Sequence, residues 1–238
     1  MKSSFLISIL ILIPVLCNAD GYWLQILGSG KPGDAARVQL YYGGVDQDSK
    51  RYIKEGKELD KLAGFVVFAV DEAGKKTPIK ITRQADHWEG AFVPDKKGSY
   101  QIRAFADSLP VVERPETPGS NIRPVHYLCT TYQVGGAAPA TAVIQPLEIL
   151  LQEKDNVVNI QALLANQPVE NGTKIRIFNP ENWEKLPLTD ASGKAYFIPT
   201  MKGMYIVRVD WVDKRPGQFL GKSYDSVRHR CDYTFIYR

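Results

Sequence analysis

Phe92-Val93-Pro94-Asp95-Lys96-Lys97-Gly98-Ser99-Tyr100-Gln101-Ile102-Arg103 returns, 105 residues further on, as Phe197-Ile198-Pro199-Thr200-Met201-Lys202-Gly203-Met204-Tyr205-Ile206-Val207-Arg208. Phe, Pro, Lys, Gly, Tyr and Arg recur in one register. Each copy follows an Asp-x-x-Gly turn, Asp71 to Gly74 and Asp190 to Gly193, and the first copy carries extra residues between turn and Phe. The pattern reads as a short strand, a turn and a longer strand. Phe ends the short strand facing inward, and proline stops the ladder because it has no N–H to donate. Lys-Gly makes the turn, since glycine takes positive φ without steric cost. From Tyr onward residues alternate inward and outward with period two.

Runs of the same kind extend outward from both copies. Strands are expected in the first half at Tyr22 to Leu27, Arg37 to Tyr42, Phe65 to Val70, Ile79 to Arg83, His87 to Phe92, Tyr100 to Ala106 and His126 to Val134. In the second half they are expected at Leu147 to Leu151, Val157 to Leu164, Lys174 to Phe178, Ala195 to Ile198, Tyr205 to Trp211 and Cys231 to Tyr237. Short strands between turn signals argue for an all-β chain of two tandem immunoglobulin-like (transthyretin-like) β-sandwich domains, and against alternating β-α units. The charged stretch Asp48 to Leu62 reads as a short helix or long loop inserted in the first domain. Ser108 to Arg123, rich in Pro, Glu and Arg, is a second irregular segment. The small-residue run Gly135 to Ala140 places the domain boundary. The expected organisation is a signal peptide at 1–19, a first sandwich at 20–136, a linker at 137–145 and a second sandwich at 146–238.

At the N-terminus, Lys2, an apolar run from Phe5 to Leu16 and then Cys17-Asn18-Ala19 have the layout of a secretory signal. Cleavage is expected after Ala19, leaving Asp20 first and the protein periplasmic or secreted. Lipid attachment at Cys17 is the rival reading, disfavoured by the large Leu16 before it. No other stretch approaches the ~20 apolar residues of a membrane-spanning helix. A net charge of +4, with basic and acidic residues interspersed, offers no arm for nucleic acid. Cys129 and Cys231 remain after processing, and spacing alone does not bring them within bonding distance.

The chain has no Gly-x-Ser-x-Gly elbow, no phosphate-cradling glycine loop and no His-Glu-x-x-His pair, so no catalytic residue is assigned. Metal ligation has more to recommend it. His229 and Cys231 are two apart, which on a strand puts imidazole and thiol on one face, a pair suited to borderline divalent metals. His126 and Cys129, three apart, fall on opposite faces unless a bulge intervenes. Trp23, Trp88, Trp183 and Trp211 could stack on sugars, although filling sandwich cores is their commoner use. Asn171-Gly172-Thr173 has the form of a glycosylation acceptor.

The chain resembles the uncharacterised-domain family that includes periplasmic components of nickel and cobalt uptake systems. The resemblance is carried by the opening Ala19-Asp20-Gly21-Tyr22-Trp23-Leu24, by Tyr132-Gln133-Val134-Gly135, and by Pro146-Leu147-Glu148-Ile149. It continues in Thr189-Asp190-x-x-Gly193 with Phe197, Gly203 and Tyr205, and in Thr234-Phe235. It implies a non-catalytic periplasmic binding protein tied to a divalent transition metal, nickel or cobalt, with a membrane importer or envelope protein as partner. The family's opening histidine is Asp20 here, and a carboxylate with the α-amine is a harder, weaker pair for nickel. The expected ligands are His229, Cys231, His126 and Asp20. The alternative is a structural, adhesion-type or carbohydrate-binding envelope module without metal.

Overall fold

A computed structural model describes residues 20–46, 48–136 and 142–238. The signal-peptide reading of 1–19, and most of the small-residue linker, lie outside the described residues. The first half runs β1 (Gly21–Leu27), β2 (Ala36–Val45), β3 (Arg51–Ile53), a 3-10 helix (Gly56–Gly64), β4 (Val66–Val70), β5 (Lys76–Ile79), β6 (Thr82–Arg83), β7 (Trp88–Phe92), β8 (Gly98–Ala106) and β9 (Ile122–Val134). The second runs β10 (Leu147–Lys154), β11 (Val157–Leu164), β12 (Gln167–Pro168), β13 (Ile175–Phe178), β14 (Glu184–Lys185), β15 (Lys194–Phe197), β16 (Gly203–Asp213), β17 (Gly217–Phe219), β18 (Lys222–Tyr224) and β19 (Ser226–Tyr237). The chain is all-β, and each half is a sandwich.

The repeated motif builds both halves alike. Phe92 and Tyr100 pack with ring centroids 5.7 Å apart, as do Phe197 and Tyr205. Tyr100 donates its hydroxyl to Lys96 O at 3.0 Å, and Tyr205 donates to Met201 O at 3.0 Å. Each hydroxyl thus ties down the turn that precedes its strand. Gly98 and Gly203 hold φ of 151° and 133°, which side-chain-bearing residues rarely adopt. The Asp-x-x-Gly turns, in contrast, are not equivalent. Asp71 Oδ1 accepts from Ala73 N and Lys75 N, and Asp190 Oδ1 from Ser192 N and Lys194 N. The first turn joins β4 to β5, and the second leads into β15 of another sheet. A side chain that caps its own backbone shapes the turn locally and leaves the choice of sheet open.

The two sandwiches share a sheet. The first outer sheet is β1-β2-β7-β6, with β3 beside β2; in the second, β11 pairs with β10, β12 and β15. Between them runs one eight-stranded sheet, β14-β13-β16-β19-β9-β8-β4-β5. Its two halves meet where β19 pairs with β9 in parallel, from Ser226 against Ile122 to Tyr233 against Cys129. A parallel pair needs a long crossover, and here the whole second sandwich is the crossover. On β9, Leu128, Tyr132 and Val134 belong to the first core, while Val125, Tyr127 and Cys129 belong to the second. One strand therefore serves two cores through its alternating faces. The inserted segment becomes β3 plus the 3-10 helix, whose Leu59 and Leu62 are buried and whose Leu59 carbonyl accepts from Trp88 Nε1 at 3.0 Å.

Candidate functional site

The four expected metal ligands occupy separate surroundings. Asp20 accepts from Tyr42 at 2.8 Å and Tyr52 at 2.6 Å, with Lys54 Nζ at 3.7 Å. His126 faces the first sandwich, edge-on to Tyr22 at 4.8 Å, with Nδ1 buried and unpartnered. Burial, with Arg230, Arg228 and Arg208 nearby, holds it well below the usual histidine pKa. His229 faces the second core between Tyr127 and Trp211, its Nδ1 3.0 Å from the Tyr127 hydroxyl. Cys231 shares that face, as the spacing required, but lies against Cys129, with Sγ atoms 3.4 Å apart. No group of three or more His, Cys, Asp or Glu among the described residues is placed to hold a metal ion. The ladder sets Cys231 opposite Tyr127 and Cys129 opposite Tyr233, a stagger of two residues. On ideal sheet spacings their Cα atoms are about 8 Å apart, beyond the reach of an unstrained disulfide. Of the tryptophans only Trp183 is well exposed, and Trp23 is buried, so they form no solvent-facing row.

Two arginines, in register in the repeat, organise the junction. Arg103 on β8 and Arg208 on β16 each point away from their own core toward the other sandwich. Arg103 meets Glu148 on β10, Nη2 to Oε1 at 3.0 Å, with both side chains fully buried. Glu148 Oε2 also accepts from Ile144 N and Gln145 N at 3.0 Å. Arg103 Nη1 donates to the carbonyls of Ile102 and Thr130. Burial opposes the charge on Arg103, yet Cys129 and Glu148 outweigh it and the pKa moves up.

Arg208 stands instead in a cleft of about 170 Å³ lined by both halves, among them Gly21, Trp23, Gly44, Arg51, Arg176 and Phe178. Its Nε donates to Asp232 Oδ1 at 2.6 Å. Its Nη2 lies so close over Gly21 that a Cβ there would sit 2.7 Å away. The Arg51 guanidinium lies 5.1 Å over the Trp23 ring and donates to Asn182 Oδ1 at 2.5 Å. Asn182 in turn donates to Ser49 O at 2.7 Å, pinning a turn of the second sandwich onto the first. Arg176 pairs with Glu184, and Arg176 and Arg208 both lie over Phe178. Burial, then the nearby Arg208, brings the Arg51 pKa down to about 10. Burial likewise lowers Arg208, Asp232 notwithstanding. Two buried atoms here lack a partner, Trp23 Nε1 and Asp232 Oδ2. Three guanidiniums against two carboxylates, beside an unsatisfied indole N–H, suit an anion. The sequence reading used Arg208 only as a mark of the repeat and passed over Arg51 and Arg176, because lone arginines on three distant strands carry no local motif.

No family model matches the chain, and no curated protein matches it. Solved structures match it only loosely. The biofilm-associated protein BSP domain is 11% identical over 89% of this chain, which spans 29% of that chain, with a TM-score of 0.22. A two-domain fibronectin type-III segment of chicken tenascin is 12% identical, covering 88% of this chain and 98% of that one, with a TM-score of 0.22. The chicken interferon gamma receptor alpha chain is 14% identical, covering 87% and 97%, with a TM-score of 0.22. Superpositions this loose carry nothing about function.

Proposed function

We propose that this is an exported, non-catalytic binding module of the structural or adhesion type, in which two sandwiches act as one rigid body and hold an anionic group in the cleft between them. The observation that carries this reading is the convergence of Arg51, Arg176 and Arg208 on a cleft to which both halves contribute. A flexible linker would let such a cleft open and close. The parallel β9–β19 ladder holds its walls in register instead, so little ordering is left for binding to impose. No helix among the described residues is long and apolar enough to cross a membrane.

Thermal unfolding with sulfate, phosphate and simple carboxylates, each against chloride of equal ionic strength, tests the reading. A ligand at a hundred times its Kd stabilises the native state by about 2.7 kcal/mol, which raises Tm by several degrees in a chain of this size. The Arg51→Ala/Arg176→Ala double variant is expected to lose that rise. Equal Tm in every anion would sink the anionic cleft.

A further inference from the structure

The internal repeat supplies a template for the ligand. Phe92 pairs with Ala36 on β2, and Phe197 with Val158 on β11. Counting five residues along each strand reaches Tyr41 and Leu163. Their ladder partners are Trp23 on β1 and Glu148 on β10. Trp23 and Glu148 therefore hold equivalent places in the two sandwiches, between core residues Tyr22 and Leu24 in one and Leu147 and Ile149 in the other. Arg103 and Arg208 are equivalent as well. Each pairs across the ladder with the closing strand of its own half, Arg103 with Cys129 and Arg208 with Asp232.

The two junctions thus have one plan and different contents. At Arg103, the facing strand brings in a carboxylate, and both side chains are fully buried, with Nε and Nη2 of Arg103 left without a hydrogen-bond partner among the described residues. At Arg208, the same strand position brings in an indole, and a cleft remains. Asp232 supplies counter-charge from the side, through Nε, the one side-chain hydrogen bond that the Arg208 guanidinium makes among the described residues. We infer that the cleft is a carboxylate site, in which a ligand's carboxylate takes at Arg208 and Arg51 the place that Glu148 takes at Arg103. Guanidinium donors present a planar fork that a carboxylate meets with two parallel bonds. The remaining wall, Trp23, Phe178 and Ile206, is apolar. The ligand carries its carboxylate next to an apolar group, as the end of a peptide or a small organic acid does. This inference rests on the anionic-cleft reading and narrows it.

Calorimetric titration of the purified protein at low salt tests it with N-acetylphenylalanine, its uncharged amide, glucuronate, sulfate and phosphate. The acids are expected to bind and the amide not. Arg51→Ala is expected to weaken binding at least tenfold, and Trp23→Glu, which installs the carboxylate internally, to abolish it. Should Trp23→Glu fail to fold, Arg51→Ala alone decides the point. Tighter binding of N-acetylphenylalanine than of glucuronate identifies a peptide end as the source, and the reverse order a sugar acid. Binding of sulfate or phosphate without either acid overturns the carboxylate inference and leaves the anionic cleft standing. Equal binding of acid and amide overturns it also, and no binding by any anion overturns both.

Discussion

Arg103 and Arg208 hold the same place in two copies of one motif, yet one is sealed and the other is open. The difference is not in the strand that carries them. It lies on the facing strand, where one half has Glu148 and the other Trp23. A guanidinium set against a buried carboxylate becomes part of the core, and with Cys129 and Glu148 beside it its pKa rises, although Nε and Nη2 of Arg103 have no hydrogen-bond partner among the described residues. The same group matched only from the side, through Nε to Asp232, borders a cleft, and burial brings its pKa down. A duplicated scaffold thus offers equivalent positions whose contents, Glu148 or Trp23 on the facing strand and Cys129 or Asp232 on the closing one, decide between a structural joint and a candidate binding site.

The comparison is most severely tested at Glu148. Glu148→Gln leaves Arg103 buried without its counter-charge and is expected to cost about 3–5 kcal/mol in denaturant unfolding; a loss below 1 kcal/mol would show that the joint is not sealed by that pair. The two halves should respond alike where they are built alike. Phe92→Ala and Phe197→Ala, both at buried positions, are each expected to cost about 3–5 kcal/mol, and a large inequality would mean that the two motifs are not energetic equivalents.

Acid adds a smaller effect. Burial lowers the pKa of both His126 and His229. The unfolded chain takes up protons near pH 6.5 that the native state refuses. The stability that the neutral histidines contribute is present above that pH and lost as pH falls below it, by up to about 1.4 kcal/mol per pH unit for the buried His126 and by less for the half-buried, solvent-screened His229. Urea titrations between pH 5 and 7.5 on the protein and on His126→Phe should show the slope shrinking in the variant. At the open junction, Arg176→Ala removes a partly exposed pair with Glu184 and the contact over Phe178 and is expected to change stability by about 1 kcal/mol. Least of all should reductant matter: with Cys129 and Cys231 staggered along the ladder, dithiothreitol is expected to leave Tm unchanged, and non-reduced peptide mapping to find both thiols free.

Much of this architecture was legible in the chain itself. The repeat from Phe92 and Phe197, the turn glycines and the period-two runs marked both sandwiches, because strand, turn and alternation are local properties. Spacing also correctly separated His126 from Cys129 and put His229 on the face of Cys231. The Asp-x-x-Gly turns misled as markers of equivalence, since an Asx cap forms wherever the local backbone allows. The short strand β3 was hidden in a charged stretch that has no alternation to read.

By itself, then, the sequence determined that the chain is all-β, that it is built twice, and which residues face inward within each half. Only the tertiary structure decided that β9 and β19 pair, that one strand serves two cores, and that Arg51, Arg176 and Arg208 share a cleft. The physical reason is the range of the forces involved. Alternation and turn geometry act over a few residues and leave their imprint in the local pattern. Ladder pairing between the ends of two sandwiches, and the meeting of charges from three distant strands, depend on how whole sheets stack, which no short stretch of sequence records.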